Sequence, residues 1–180
     1  NHLLENVIKS DLNYKNINQF DSAIVLGAGS STGLNKKSII EYHKQNKSII
    51  ISASYNYDFI QPDYVYVTDK EKLLEQFRKI KCNLIIRKFL TNIINKNEMK
   101  DITDHMNFIK KNIYYIGSEK SSPGTRESKV CQCKSNTIEI NSAGEFNYHH
   151  FGVCGLGAII CSSVFRPKTL LIVGFDGPNF

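Results

Sequence analysis

The sequence predicts an α/β domain in which helices cover both faces of a doubly wound, mostly parallel sheet. Short runs of consecutive apolar residues recur along the 180-residue chain, as in strands that are buried on both faces. Segments with helical spacing of apolar residues separate these runs. A glycine-rich segment, Gly27–Gly33, directly follows the first run, where open α/β sheets place a ligand loop.

Residues 1–20 are predicted to form a leading amphipathic helix. Between residues 3 and 13 the apolar side chains recur at helical spacing, at Leu3, Leu4, Val7, Ile8 and Leu12. Residues 21–180 are predicted to form one domain, because a chain of this length builds a single core and shows neither a linker nor an internal repeat. Since the chain ends directly after an apolar run, we expect it to be a fragment of a longer protein.

The remaining elements follow in order along the chain. Strands are predicted at residues 22–26, 47–53, 64–68, 83–87, 113–116 and 169–174, the last as a core strand. Helices are predicted at 35–45 and 70–79, in pieces between 89 and 112, and at 151–165, where an almost wholly apolar segment indicates a buried helix. Residues 118–134 are predicted to be an exposed loop. Right-handed crossovers bring the carboxyl ends of all strands to one edge, where ligands bind.

Composition narrows the classes of function. The formal net charge is +6, but the lysines are dispersed among Asn and Ile, so nucleic acid is not an expected partner and an anionic small molecule is compatible. No apolar run approaches the ~20 residues that cross a bilayer, and no signal peptide pattern is present. We expect a cytoplasmic domain whose five cysteines are free thiols.

The glycine-rich segment predicts contact with a phosphate. Its residues Gly27, Ala28, Gly29, Ser30 and Ser31 follow the first strand, and glycines let the backbone approach an anion at a helix start. The G-x-G-x-x-x-G spacing is one residue longer than the dinucleotide fingerprint, and the second strand ends without a carboxylate, which argues against nicotinamide cofactors. A tight turn without a ligand is the alternative.

Other candidates follow later strands. Asp69 and Asp176 each close a strand, where a carboxylate holds a ribose hydroxyl or a metal, or caps the next helix. Asn56 offers an amide to a base or sugar, or is a turn residue. The candidate catalytic residues are Asp176, His149 and His150. The histidines would act as a general base, with solvent exposure or helix capping as the alternative. Cysteine spacing predicts no metal site, and the cysteines of the last helix, Cys154 and Cys161, are predicted to be core residues.

Three segments together resemble a known superfamily. Residues Ile24–Ser31, Pro62–Asp69 and Leu170–Gly177 are similar to Rossmann-like domains that include bacterial lipooligosaccharide sialyltransferases, motility accessory factor glycosyltransferases and archaeal hydroxymethylpterin pyrophosphokinase-like proteins. The Gly-Phe-Asp-Gly ending looks most like the domain fused behind an aldolase-like barrel in surface-polysaccharide biosynthesis proteins.

The resemblance implies a nucleotide-sugar-binding, glycosyltransferase-like domain of surface glycan biosynthesis. It places a cytidine-type nucleotide or nucleotide sugar on Gly27, Gly29, Ser30, Ser31, Asn56, Gly174 and Asp176, and the full set of predicted nucleotide-binding residues adds Ala28 and Asp69. A glycan or protein would be the acceptor, and the family's general-base histidine would lie beyond residue 180. No resident cofactor is predicted. Alternatives are a non-catalytic regulatory or partner module of a larger enzyme and a pterin or nucleotide pyrophosphokinase; assembly into a homo-oligomer stays open.

Overall fold

The sheet confirms the predicted α/β class. A computed structural model describes residues 7, 9–12, 17–116, 138–140, 146–148 and 154–176. One seven-stranded parallel sheet contains β1 (Lys9–Asp11), β2 (Ser22–Leu26), β3 (Ile49–Ala53), β4 (Tyr64–Val67), β5 (Asn83–Arg87), β6 (Ile113–Ile116) and β9 (Thr169–Val173). The short strands β7 (Ile138–Ile140) and β8 (Phe146–Tyr148) form a separate antiparallel pair that the sequence did not predict.

Helices cover both faces of the sheet. They are α1 (Ser30–Leu34), α2 (Lys36–Asn46), α3 (Lys70–Gln76), which continues into a 3₁₀ turn (Phe77–Lys79), α4 (Leu90–Ile93), α5 (Lys96–Phe108) and α6 (Cys154–Ser163). Successive strand residues point to opposite faces. Ala23 and Val25 of β2 therefore pack in one core cluster with α6, while Ile24 and Leu26 pack in another with α2. None of the helices described is long and apolar enough to cross a membrane.

The order of the strands creates a switch point beside β2. From β2 the chain proceeds through β3, β4, β5 and β6 in one direction, whereas β9 lies on the other side of β2. Leu26 is paired with Ser52 on one side and with Val173 on the other. In open parallel sheets the crevice at the carboxyl ends of such strands is the usual ligand site.

The prediction of an amino-terminal helix is wrong for those residues of 1–20 that the structure describes. Lys9–Asp11 is an edge strand, parallel to β6, and the amide of Leu12 donates to the carbonyl of Tyr115 at 2.6 Å. This extended backbone buries Leu12 in the core, and in so short a segment the same apolar residues fit a helical period as well. Residues 1–6, 8 and 13–16 lie outside the described part.

The prediction of a core strand at residues 169–174 is correct about the strand and wrong about its burial. Thr169–Val173 forms β9 at the edge of the sheet, paired with β2. Leu170 and Ile172 remain 37% and 44% exposed. An apolar run of five residues indicates a strand, but it does not tell an edge from a centre. The predicted loop at 118–134 lies outside the described residues.

Candidate functional site

A cleft of about 520 Å³ opens at the switch point of the sheet. Its walls are residues 27–29 after β2, 53–55 after β3, 68–69 after β4 and 174–176 after β9, together with Lys72 of α3 and the first two residues of α6. Of the residues predicted to bind a nucleotide, the cleft brings together Gly27, Ala28, Gly29, Asp69, Gly174 and Asp176.

The glycine-rich segment is joined to the end of β9. The amide of Gly27 donates to Val173 at 2.7 Å, and the amide of Gly29 donates to Gly174 at 2.8 Å. A Cβ on Gly27 would overlap the Gly174 carbonyl, and Gly174 has a φ of +83°, which favours glycine. These glycines are therefore required by the close approach of two backbone segments, independently of any ligand.

Asp176 lies against the first turn of α1. Its carboxylate accepts hydrogen bonds from the Ser31 amide at 2.7 Å, from the Ser30 hydroxyl at 3.1 Å and from the Ser31 hydroxyl. The hydrogen bond from the Ser31 side chain, followed by that from its amide, lowers the pKa of Asp176 below its usual value. The position at which the sequence predicted a ligand phosphate thus holds a carboxylate of the chain itself.

Asp69 caps a helix and also lines the cleft. Its side chain accepts from the amide of Lys72 at 3.0 Å, which makes it the N-cap of α3. Such a bond satisfies one of the free amides in the first helical turn. The capping role is therefore present, and the carboxylate still borders the cleft.

Lys72 and Tyr55 are cleft residues that were not among the predicted site residues. The ammonium group of Lys72 lies 5.7 Å from the centre of the Tyr55 ring, within the range of a cation–π contact. Lys72 is exposed and forms no ion pair in the described part of the chain. The sequence did contain a signal for Lys72, because it lies three residues after Asp69 on the helix that starts at the end of β4.

Cys154 differs from its prediction as a core residue. It begins α6, is half-buried and lines the cleft. Its sulfur lies 2.7 Å from the hydroxyl of Ser54 and 3.4 Å from the Tyr66 carbonyl, and Ser54 itself has a left-handed φ of 65°. Cys161, two turns further along α6, is fully buried as predicted, and burial raises its thiol pKa well above the usual value.

Two hydroxyl groups, from Tyr57 after β3 and from Thr32 of α1, hold the glycine-rich segment in place. The Tyr57 hydroxyl and the Thr32 hydroxyl both donate to the carbonyl of Gly27, the latter at 2.8 Å, and burial raises the pKa of Tyr57 to about 12. Asn56, predicted to contact a base or sugar, is not among the residues that line the cleft. Its Oδ1 atom is buried and has no hydrogen-bond partner among the described residues.

Two predicted residues, His149 and His150, lie outside the described part of the chain. Over the ranges that are described, no group of three or more His, Cys, Asp and Glu side chains is placed to hold a metal ion. A comparison of the chain with protein families, curated proteins and solved structures finds no match. The superfamily resemblance therefore stays a prediction from the three sequence segments.

Proposed function

We propose that the chain is a nucleotide-sugar-binding, glycosyltransferase-like domain that takes its ligand in the cleft at the carboxyl edge of the sheet. The observation that carries this proposal is the convergence of four strand ends on one cleft that combines carboxylates, a lysine and an aromatic ring. Sites for small ligands are concave and contain a few well-placed polar groups. A nucleotide sugar has a group to match each of these side chains.

The chemistry of the cleft fits a ligand that carries hydroxyl groups. Asp176, whose pKa is lowered by Ser31, is a carboxylate at neutral pH and can accept hydrogen bonds from a ribose or sugar. Asp69 offers a second carboxylate beside β4. The half-buried ring of Tyr55 lines the cleft and provides an apolar surface for a base, since aromatic rings stack with bases of every type.

A non-catalytic binding module is the second candidate, and one observation favours it. Donors at the start of α1, the Ser30 hydroxyl and both the amide and hydroxyl of Ser31, are satisfied by Asp176. This turn is therefore stable without a ligand. A transfer assay with a bound nucleotide sugar separates the two candidates, because a module would bind the donor and leave it intact.

The proposal is tested by thermal unfolding with cytidine, uridine, adenosine and guanosine mono- and diphosphates and with their sugar conjugates. We expect stabilisation by at least one of them, since a ligand at about 100 times its dissociation constant adds roughly 2.7 kcal/mol. Asp176→Ala should reduce this stabilisation, and Asp58→Ala, an exposed carboxylate outside the cleft lining, should leave it unchanged. The absence of any shift at millimolar concentration would contradict the proposal.

A further inference from the structure

We infer that the phosphate of the ligand binds at Lys72, on the β4 side of the cleft, and that the glycine-rich segment contacts the uncharged part of the ligand. This inference rests on the proposed function. It reverses the position that the sequence predicts for the phosphate, and it is carried by two independent features of the cleft: the hydrogen bonds of the glycine-rich segment and the surroundings of Lys72.

The first feature is that three amides of the glycine-rich segment, those of Gly27, Gly29 and Ser31, already have partners. The amides of Gly27 and Gly29 donate to the end of β9, and the amide of Ser31 donates to the Asp176 carboxylate. A phosphate placed here could not accept hydrogen bonds from these amides, and it would lie close to the negative charge of the Asp176 carboxylate. Like charges at short range disfavour each other, whereas a ligand hydroxyl would donate to the same carboxylate.

The second feature is that Lys72 forms no ion pair in the part of the chain that the structure describes. Four other lysines of the described part form ion pairs, namely Lys70, Lys88, Lys100 and Lys168. Lys70 is only two residues away on α3 and pairs with Glu98 at 2.9 Å. Lys72 instead points to the cleft wall, over the ring of Tyr55, so its ammonium can bind an anionic group that enters the cleft.

The two features orient the ligand. Lys72 follows β4 and Asp176 follows β9, and β3 and β2 lie between these strands. Three strand spacings correspond to about 14 Å, so Lys72 and Asp176 belong to opposite sides of the cleft. The β4 side also carries the Asp69 carboxylate, but the ammonium group of Lys72 offsets its charge there. None of the described residues that line the β9 side is a lysine or an arginine. A nucleotide with its phosphate at Lys72 would extend its sugar towards Asp176.

The test is a calorimetric titration of the 180-residue chain with the four ribonucleoside monophosphates and the four matching nucleosides. The variants are Lys72→Met, Lys72→Arg, Asp176→Asn and, as a matched control, Lys37→Met on the exposed side of α2. We expect the wild-type chain to bind at least one monophosphate more tightly than its nucleoside. Lys72→Met should lower this preference about tenfold or more, Lys72→Arg should retain most of it, and Lys37→Met should not change it.

Each outcome separates the inference from the proposed function. A wild-type preference for the monophosphate that survives in Lys72→Met overturns the inference and leaves the proposed function in place. Tighter binding of the monophosphate in Asp176→Asn, with no change for the nucleoside, would also overturn it, because this result places the phosphate beside that carboxylate. If the wild-type chain binds neither the monophosphates nor the nucleosides, both the proposed function and the inference are wrong.

Discussion

The carboxylate of Asp176 accepts a hydrogen bond from the backbone amide of Ser31 at 2.7 Å. This bond links the residue that follows the edge strand β9 to the first turn of α1. The hydroxyl of Ser31 strengthens the link from the other side, because it also donates to Asp176 and lies 3.0 Å from the amide of Gly174. The two strands that flank the switch point are therefore joined at the level of the cleft, and the shape of the cleft depends on this junction.

Substitution of Gly29 by alanine should disrupt the junction. A Cβ at this position would lie 2.6 Å from Oδ2 of Asp176 and 2.8 Å from the Gly174 carbonyl. The backbone carbonyl cannot rotate away, so we expect Gly29→Ala to lower the free energy of unfolding by about 1–3 kcal/mol and to weaken nucleotide binding. Denaturant unfolding and titration measure the two effects.

The control for this substitution is Gly33→Ala. Gly33 lies within α1, the helix that Gly29 precedes as its N-cap, and a Cβ there would meet no atom within 4 Å. We expect this variant to be neutral or to gain up to about 1 kcal/mol, because alanine favours a helix over glycine. Equal losses in both variants would show that the crowding around Asp176 is not what makes Gly29 necessary.

The Asp176 junction should weaken in acid. Its pKa is lower in the folded chain than the usual value, owing first to the Ser31 hydroxyl. A carboxyl group with a lowered pKa stabilises the folded state above its unfolded pKa of about 3.9 and loses this contribution as the pH falls below that value. The stability difference between the wild-type chain and Asp176→Ala should be constant from neutral pH down to about pH 5 and should shrink below about pH 4. A difference that grows on acidification would contradict this prediction.

The sequence predicted the elements of the fold because each depends on a local pattern. The apolar run Ser22–Leu26 and the spacing of Leu73 and Phe77 on the helix after β4 each specify a type of element without knowledge of the rest of the chain. The burial of a strand, in contrast, is not specified by a local sequence pattern. Nothing within Thr169–Val173 shows that its outer edge lacks a neighbour in the described part of the chain.

The candidate site was predicted only in outline, for the same physical reason. Strand ends and glycines indicated the edge of the sheet at which the cleft lies, and Asp69 and Asp176 are among the residues that line it. The contact between Ser31 and Asp176 joins residues 145 positions apart, and no local pattern encodes it. Lys72 and Cys154 become cleft residues only when α3 and α6 are packed on the sheet.

The start of α5 should be sensitive to its capping residue. Asn95 accepts from the amide of Glu98 at 2.9 Å, and the Glu98 carboxylate accepts from the amide of Asn95 at 2.8 Å, which is a reciprocal capping box. Asn95→Ala should lower the free energy of unfolding by about 0.5–2 kcal/mol, as measured by denaturant unfolding. Asn97→Ala, at an exposed position of the same first turn, should have little effect, and a larger loss for Asn97 would argue against the box.

Gly157 should tolerate no larger side chain, although it lies within a helix. A Cβ here would lie 2.6 Å from Cζ of the fully buried Tyr66 and closer still to its Cε1. We expect Gly157→Ala to destabilise the chain by about 1–3 kcal/mol, which outweighs the better helix propensity of alanine. A double-mutant cycle with Tyr66→Leu provides the control, since the cost of Gly157→Ala should fall once the ring is removed. Additive losses would show that Tyr66 is not the obstacle.

The thiol of Cys154 should report on occupancy of the cleft. Cys154 is half-buried and lines the cleft, whereas Cys82 and Cys161 are buried. Burial raises the pKa of Cys82 to about 12 and that of Cys161 well above its usual value. Because alkylation requires the thiolate, iodoacetamide at about pH 8 should modify Cys154 and leave the other two unmodified, as read by peptide mass spectrometry.

A bound nucleotide should slow this modification, because it would occupy the cleft that Cys154 lines. We expect the labelling rate of Cys154 to fall in proportion to the occupied fraction of the protein and to recover when the nucleotide is diluted. Cys82 serves as the internal control for general unfolding, since both thiols would react in an opened chain. Labelling of Cys82 as fast as Cys154 would refute the burial argument. Labelling of Cys154 that does not change at saturating nucleotide would place the ligand elsewhere than in this cleft.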